Sequence, residues 1–319
     1  MQKLLRALDS NNIDHRLQQA DLTDETIPHL GMPIVDVDHL NEVLLVGSDI
    51  YHEQPVLGIR LRKAIKNGAK ITVINNQFIE ALTQFQFSNG EKKAIILGPG
   101  ALNNSKASQI KYLATQLAEK AGAVLGCLTV GANSVGAHIV GAIPKNGLNS
   151  KQMMEQPLVA YLLMNVEPEF DCAYSRLTLD ALHKAKLVVC FTTFVNQLQL
   201  EYAHVLLPVA PFTENEGSYI NIEGRSQTFT AATIPYQEAR PAWKVLRVLG
   251  NLLQQSGFEY SSCLEVQKEF INFKSLTPLK WGNSTNSATQ PDIQQWSIYG
   301  GDSLVRRAKS LQAIKANVE

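Results

Sequence analysis

The sequence predicts an α/β protein with two doubly wound, Rossmann-like parts, residues 1–93 and 94–256, and an irregular carboxy-terminal extension, residues 257–319. Two observations predict this class. Short aliphatic runs alternate along the chain with glycine-containing loops and amphipathic helices, which is the order of a parallel sheet with helical crossovers. Hydrophobic residues make up 45% of the 319 residues, enough for more than one core.

The first predicted part opens with a buried strand at 42–47, a continuous aliphatic run that ends at Gly47. A helix is expected over 54–67, with Pro55 in its first turn and Gly68 just beyond its end. The next strand is expected at 70–74. Strand, helix and strand form a βαβ unit whose crossover should be right-handed.

The second predicted part begins with a strand at 94–97 that leads into Gly98, Pro99 and Gly100. A long helix is expected from Ser105, as N-cap, to residue 121, and the region 126–147, rich in Gly, Ala and Asn, is expected to be mostly loop. Further expected elements are apolar runs at 158–166 and 186–191, a helix at 177–185 and a short strand at 204–208.

Two helices and a change of composition follow this part. Pro241 opens a helix predicted over 242–255, and Ser262 with Glu265 has the spacing of a capping box. From 275 to 295 the residues are mainly Ser, Thr, Asn, Gln and Pro. That composition is typical of a flexible linker or of an irregular surface segment.

Charge and composition exclude several classes of protein. The 29 lysine and arginine residues balance 29 aspartate and glutamate residues, which argues against a nucleic-acid partner. No run approaches the roughly 20 apolar residues that span a bilayer, so no direct membrane insertion is expected. The amino terminus lacks the features of a secretory signal. Four dispersed cysteines indicate single thiols of a reducing compartment.

A dinucleotide site is the first candidate for chemistry, because Gly98 and Gly100 lie between a strand and a helix. The third glycine of the GxGxxG fingerprint is missing, since Asn103 occupies its position. No acidic residue ends the following strand either. A tight turn between strand and helix explains these glycines better than NAD binding.

Metal and acid–base sites are the next candidates. No Cys-x-x-Cys run that could hold an iron–sulfur cluster occurs in the sequence. His138 is expected to be a hydrogen-bonded loop histidine rather than a ligand. Asp36, Asp38 and His39 have the spacing of a solvated turn. The carboxylates Glu214, Glu216 and Glu223 lie close together in a loop, where a structural role is favoured over acid–base catalysis.

A longer pattern around residues 207–227 resembles a signature of the molybdopterin oxidoreductase superfamily. Leu207 and Pro208 end a strand, an E-x-x-G loop begins at Glu214, and the run N-x-E-G-R-x-Q occupies 221–227. The resemblance implies the fold of formate dehydrogenase and dimethyl sulfoxide reductase, domains 2 and 3. In this run Arg225 can fork onto a phosphate or a carboxylate.

Segments 12–17, 131–138 and 238–246 narrow the resemblance to the large iron–sulfur subunit of bacterial NADH:quinone oxidoreductase (respiratory complex I). This resemblance implies a scaffold in the cytoplasmic peripheral arm, held to the inner face of the cell membrane by the other subunits. It also implies that the iron–sulfur clusters belong to a preceding Cys-rich region, so that the chain is a fragment, a split gene product or a truncation. The alternative is a fragment of a catalytic molybdopterin-guanine-dinucleotide oxidoreductase.

Departures from the catalytic relatives leave no catalytic, cofactor-binding or metal-binding residue to assign. Nothing resembles their molybdenum ligand. Asn75, Asn76 and Gln77 stand where those relatives contact guanine with Asp-Pro-Arg. The stretch 166–169 lacks the first glycine of their Gly-x-x-Pro loop. No cofactor is therefore expected in this segment.

The superfamily's cofactor cleft is still expected in outline, without a ligand. Gly47 with Ser48, the turn 98–100 and the loop 214–225 should converge beyond the carboxyl ends of the strands. Glu216 and Arg225 can then bond each other or nearby backbone and fill the space, or face an open polar cleft. The first is favoured because an unpaired buried charge is costly.

Overall fold

The computed structural model describes residues 1–88, 90–269, 276–284, 287–292 and 298–315. The strands are β1 (Glu42–Val46), β2 (Lys70–Ile74), β3 (Lys93–Leu97), β4 (Val124–Cys127), β5 (Ala160–Met164), β6 (Leu187–Thr192), β7 (Val205–Pro208), β8 (Gly217–Ile220) and β9 (Ser226–Phe229). The helices are α1 (Gln2–Ala7), α2 (Ile50–Glu53), α3 (Pro55–Lys66), α4 (Phe78–Gln84), α5 (Pro99–Leu102), α6 (Ala107–Ala121), α7 (Ser134–Ile139), α8 (Ser150–Glu155), α9 (Pro168–Asp171), α10 (Ser175–Lys184), α11 (Gln197–Tyr202), α12 (Ala242–Leu252), α13 (Cys263–Lys268), α14 (Ser303–Arg307) and α15 (Lys309–Lys315). Short 3₁₀ helices occupy Ile34–His39, Phe212–Glu214 and Ile298–Gly300.

The first sheet is parallel, with strand order β2-β1-β3-β4. The chain moves outward from β1 to β2 and then returns to place β3 on the other side of β1. This reversal makes a switch point between β1 and β3, where ligands of open α/β sheets bind beyond the carboxyl ends of the strands.

The boundary predicted at residues 93/94 needs correction. β3 starts at Lys93 and pairs with β1 from Glu42↔Lys93 to Val46↔Leu97, so the strands on either side of that boundary share one sheet. The sheet changes between β4 and β5 instead. The sequence pattern misplaced the division because it shows where strands occur but not which strands they join.

Helices cover both faces of the first sheet, which confirms the α/β fold class. One face packs Leu44, Ile95 and Leu97 against apolar residues of α4 and α6. The other packs Val43 and Ile96 against residues of α3 and the Ile34–His39 helix. Strands buried on both faces explain why they read as continuous aliphatic runs in the sequence.

The second sheet is also parallel, with order β5-β6-β7. Tyr161 and Val188 pack on one face against α8, α10 and α11. Phe191 packs on the opposite face with Leu4 of α1 and Leu246 of α12. The strand order does not reverse among the described strands, so the described switch point belongs to the first sheet.

Region 126–147 is mostly irregular, as expected, although it also contains the end of β4 and the unpredicted helix α7. Two further local features differ from expectation. Ser105 does not cap α6, which begins at Ala107 without a side-chain cap, whereas Gly122 ends it in a left-handed conformation as expected. The antiparallel hairpin β8–β9 was not predicted.

Residues 277–281 of the extension pack against the first sheet and its helices. Leu279 and Trp281 are buried in the core beside α6, and the backbone N–H of Trp281 donates to Oγ1 of Thr115 at 3.1 Å. Nε2 of His29 lies 2.8 Å from the carbonyl oxygen of Thr277. Of the two alternatives for 275–295, the irregular surface segment therefore describes residues 276–284.

No helix in the described ranges combines the length and apolarity needed to cross a lipid bilayer.

Candidate functional site

The switch point brings together the loop after β1 and the turn after β3. The backbone N–H of Gly100 donates to the carbonyl oxygen of Gly47 at 2.8 Å. The N–H of Gly98 donates to Val46, and the N–H of Gly47 donates to Ile74. These three N–H groups, the kind that a phosphate would need at such a turn, are thus already bonded within the protein.

Steric contacts close the same crevice, which we call the switch-point crevice and define as Gly47, Ser48, Gly98 and Gly100. A Cβ atom added at Gly98 would lie 2.4 Å from the Gly47 oxygen and 2.4 Å from Cβ of Ser48. Gly47 adopts φ +66°, and its own Cβ would lie 2.4 Å from the nitrogen of Ala101. The glycines therefore allow two pieces of backbone to touch each other, instead of leaving room for a ligand.

Side chains at the crevice are engaged as well. The Ser48 hydroxyl donates to Oε2 of Glu53 at 2.7 Å. Burial raises the pKa of the Glu53 carboxyl, and the bond from Ser48 opposes this shift. The pair joins the loop after β1 to helix α2.

The residues after β2 offer little to a guanine base. Asn75, Asn76 and Gln77 are all exposed, and Gln77 adopts φ +48° at the start of α4. Exposed neutral amides lose most of a hydrogen bond's free energy to water. Taken with the bonded N–H groups of the switch-point crevice, these residues do not fit a pterin–guanine dinucleotide.

The signature run folds as the hairpin β8–β9. Oδ1 of Asn221 accepts the N–H groups of Glu223 and Arg225 at 3.1 and 2.9 Å, and Gly224 takes φ +85° to complete the turn. The residues N-x-E-G of the signature thus form the turn itself. The Asn221 side chain accepts backbone N–H groups that a backbone carbonyl would otherwise accept.

Three hydrogen bonds join the hairpin to segments that border the first sheet. Leu30 donates its N–H to the Ile222 oxygen at 2.7 Å, and Ile34 donates to Oε2 of Glu223 at 2.8 Å. Oδ1 of Asn133, which lies between β4 and α7, accepts from the N–H of Ile220 at 2.9 Å. The hairpin loop therefore reaches the carboxyl end of β4. Of the three segments expected to converge, the loop after β1 and the turn after β3 make the closest contact.

Arg225 and Glu216 do not pair with each other. Nε of Arg225 lies 3.0 Å from Oε1 of Glu223, and the arginine side chain is 69% exposed. Glu216 lies in a separate groove with Glu214, Arg240 and Lys244. The favoured outcome is therefore not observed, because Arg225 pairs with the Glu223 side chain and lies at the surface, where it does not fill the crevice.

The loop after β5 carries a buried ion-pair cluster that the sequence did not reveal. The Glu167 side chain is 2% exposed and accepts from Nη2 of Arg307 at 2.7 Å. Arg306 forks onto Asp171 at 2.8 and 3.2 Å and also approaches Glu167 at 3.2 Å. The partners are far apart in sequence and the arginines lie in the extension, so no spacing signal could have found them.

The histidine and acidic candidates have structural partners. His138 lies at the end of α7, with Nδ1 2.9 Å from Nε2 of His15 and 3.0 Å from the Ser134 oxygen. Asp38 is buried rather than in a solvated turn, and it binds Arg60 at 3.0 Å and Lys63 at 2.8 Å. The expectation of a solvated turn was therefore wrong for Asp38, because α3 packs over it.

The thiols are dispersed and protonated. Burial raises the pKa of Cys127 and of Cys172 to about 12, and that of Cys190 to about 11. Within the part of the chain that the structure describes, no three His, Cys, Asp or Glu side chains are placed to hold a metal ion.

Comparison with known proteins shows three informative relatives. NADH-quinone oxidoreductase subunit 3 of Thermus thermophilus is 30% identical over 167 residues, 52% of this chain and 19% of that protein. The NADH-ubiquinone oxidoreductase 75 kDa subunit of Reclinomonas americana is 22% identical over 297 residues, 84% of this chain and 41% of that protein. The assimilatory nitrate reductase catalytic subunit of Bacillus subtilis is 26% identical over 132 residues, 40% of this chain and 18% of that protein.

The chain thus spans less than half the length of each of these relatives. The sequence model of the molybdopterin oxidoreductase family matches residues 1–86 and 80–252. This match covers the first sheet, the second sheet and the signature hairpin, and it confirms the resemblance deduced from the motifs. The chain belongs to the molybdopterin oxidoreductase family.

Proposed function

We propose that this chain is a non-catalytic scaffold portion of the large iron–sulfur subunit of NADH:quinone oxidoreductase, complex I. Its role is to support electron transfer from NADH to quinone in the peripheral arm by seating the cluster-bearing region. The names of the Thermus and Reclinomonas relatives support the assignment to this enzyme. The iron–sulfur clusters belong to the region of the parent subunit that precedes this part.

One observation carries the non-catalytic part of the proposal, the closed switch-point crevice. The Gly100 N–H is bonded to the Gly47 oxygen at 2.8 Å, and Gly98 has no space beside it. A catalytic relative has to hold its dinucleotide phosphates with free donors at such a place. The crevice here stabilises the protein's own backbone.

The proposed partners are other subunits of the peripheral arm, on the cytoplasmic face of the cell membrane. The zero net charge suits a chain that lives packed against other proteins. Large apolar side chains on the outer surface of α3, including Val56 at 62% and Ile59 at 67% exposure, are candidates for such contacts.

Affinity purification from the native host tests this proposal. The chain is tagged at its carboxyl terminus, membranes are solubilised in mild detergent, and the eluate is assayed for NADH dehydrogenase activity and iron. We expect both to co-elute in constant ratio with the tagged chain. Elution of the chain without NADH dehydrogenase activity would contradict membership of the complex.

The second candidate is a fragment of a catalytic molybdopterin-guanine-dinucleotide oxidoreductase. The similarity to a nitrate reductase catalytic subunit favours it. Measuring molybdenum and pterin in the same eluate distinguishes the two candidates. The catalytic fragment requires both in stoichiometric amounts, whereas the scaffold requires neither.

A further inference from the structure

The second sheet ends at β5, and the outer side of this strand is open. β5 pairs only with β6 in the described structure, from Ala160↔Leu187 to Met164↔Phe191. An open edge presents a row of backbone donors and acceptors that another strand can use.

The direction of each backbone group follows from two bonds. The N–H of Asn165 donates to Phe191 at 2.8 Å, and the Val159 oxygen accepts from Leu187 at 3.2 Å, so odd-numbered residues here point toward β6. Groups of Ala160, Leu162 and Met164 consequently point outward, because successive residues of a strand alternate. Within the described ranges, no residue bonds these outward N–H and C=O groups.

A groove runs along this open edge. Its volume is about 670 Å³, and every residue of β5 lines it. Ile13, Asp14 and His15 also line the groove, and they belong to a segment without regular secondary structure. A strand residue within a packed sheet occupies roughly 160 Å³, from a rise of about 3.3 Å, a strand spacing of about 4.8 Å and a sheet spacing of about 10 Å. The groove therefore has room for about four strand residues, close to the length of β5.

Most charged side chains around the groove form ion pairs, while Arg247 donates to the carbonyl oxygen of Tyr260 at 2.8 Å and Asp302 accepts the N–H of Leu304 at 2.8 Å. Asp14 binds Arg16 at 2.9 Å, Lys3 binds Glu269 at 2.8 Å, and Asp171 binds Arg306 at 2.8 Å. A charged occupant would have to compete with these existing bonds for a counter-charge and would pay desolvation. Charge complementarity thus selects an uncharged occupant, and the apolar side chains of Leu162, Met164 and Trp243 select an apolar one.

We propose that the open edge of β5 receives an uncharged, apolar strand of about four residues from another polypeptide, which extends the second sheet by β-augmentation. The main-chain groups of Ala160, Leu162 and Met164 supply the hydrogen bonds. The groove supplies pockets for alternate side chains. This inference goes beyond the proposed scaffold role and does not depend on it, since it rests on strand geometry and on the lining of the groove.

The test uses the full chain and a fluorescent peptide of sequence KAVIVAK, whose central residues form an uncharged strand. Binding is measured by fluorescence anisotropy to the parent chain, to Leu162→Pro and to Leu162→Ala. Proline removes the outward N–H without touching the bonds to β6, and alanine is the matched control that keeps the N–H. We expect Leu162→Pro to weaken binding at least about tenfold relative to Leu162→Ala.

A second measurement on the parent chain keeps the proposal falsifiable if the proline variant fails to fold. Peptide binding should slow amide hydrogen exchange at Leu162 and Met164, while a peptide of sequence KAVPVAK should not. The proposal is overturned if KAVIVAK does not bind at millimolar concentration or binds no better than KAVPVAK. Concentration-dependent dimers abolished by Leu162→Pro would also overturn it, because a second copy would then be the occupant.

Discussion

At the scale of single residues, the turn at Gly98 and Gly100 could be predicted from the sequence, but its contacts with Gly47 could not. The order strand, Gly98-Pro99-Gly100, helix predicted a tight turn, and the missing third glycine makes the pattern an incomplete fingerprint. The sequence could not show that the Gly47 oxygen would take the N–H of Gly100, because the two residues come together only when β3 pairs beside β1.

Gly98→Ala should destabilise the chain, because the new methyl group would lie 2.4 Å from the Gly47 oxygen. We expect a loss of about 2–3 kcal/mol in the free energy of unfolding, measured by urea denaturation. Gly282→Ala is the control, since nothing lies within 4 Å of its Cβ position. Equal stability of the two variants would mean that the switch-point crevice is open.

The contact between half-buried His15 and buried His138 should make stability depend on pH. Burial lowers the pKa of His15 to about 4, with a further contribution from His138, whose own pKa burial also lowers. Asp14 opposes the shift of His15, and Arg16 adds to it. Between the unfolded value near 6.5 and the folded value, the unfolded chain binds more protons, so folding stability falls as pH falls.

We expect a loss of roughly 2 kcal/mol between about pH 7.5 and about pH 5, measured by urea unfolding at each pH. Full stability is retained above the unfolded pKa. In His15→Gln the same pH change should cost distinctly less. An unchanged pH slope in that variant would assign the effect to other groups.

At the scale of elements, buried strands were predictable because aliphatic runs of this length have few alternatives. β2 was predicted at its observed bounds, and β1 and β3 within one residue. Helix α7 was missed because its Gly- and Ala-rich sequence resembles a loop, and tertiary bonds such as that between Asn133 and Ile220 fix the region. The hairpin β8–β9 had a signal, since Asn221 and Gly224 form a turn between Tyr219 and Phe229.

The extension should depend on its arginine pair. Replacing Arg306 and Arg307 by alanine leaves Glu167 and Asp171 without partners, and Glu167 is 2% exposed. Leaving a buried charge uncompensated costs about 3–5 kcal/mol. We therefore expect the double variant to unfold at a lower denaturant concentration and its extension to be cleaved rapidly. Limited trypsin digestion with mass spectrometry measures this cleavage.

Arg225→Ala is the matched control, because the Arg225 side chain is 69% exposed and its ion pair with Glu223 should contribute less than about 1 kcal/mol. Protease resistance of the double variant equal to that of the control would contradict the structural role of the cluster.

At the scale of the whole molecule, the fold class and the family were predictable, but the division into units was not. The signature at 207–227 carried the family, and the family match over 1–252 confirms it. The predicted unit boundary failed because pairing of β3 with β1 is a long-range property that strand patterns do not encode. The absence of a cofactor site in this segment stays a prediction, supported by the closed switch-point crevice.

Guanine nucleotide analysis tests whether the switch-point crevice is closed to a dinucleotide. The purified chain is heat-denatured and the supernatant is analysed for guanine nucleotides by chromatography, while native protein is melted with and without millimolar GDP. We expect no released nucleotide and no change in Tm, since a ligand that does not bind the native state cannot stabilise it. Stoichiometric release of a guanine nucleotide, or a rise in Tm that Gly98→Ala abolishes, would contradict it.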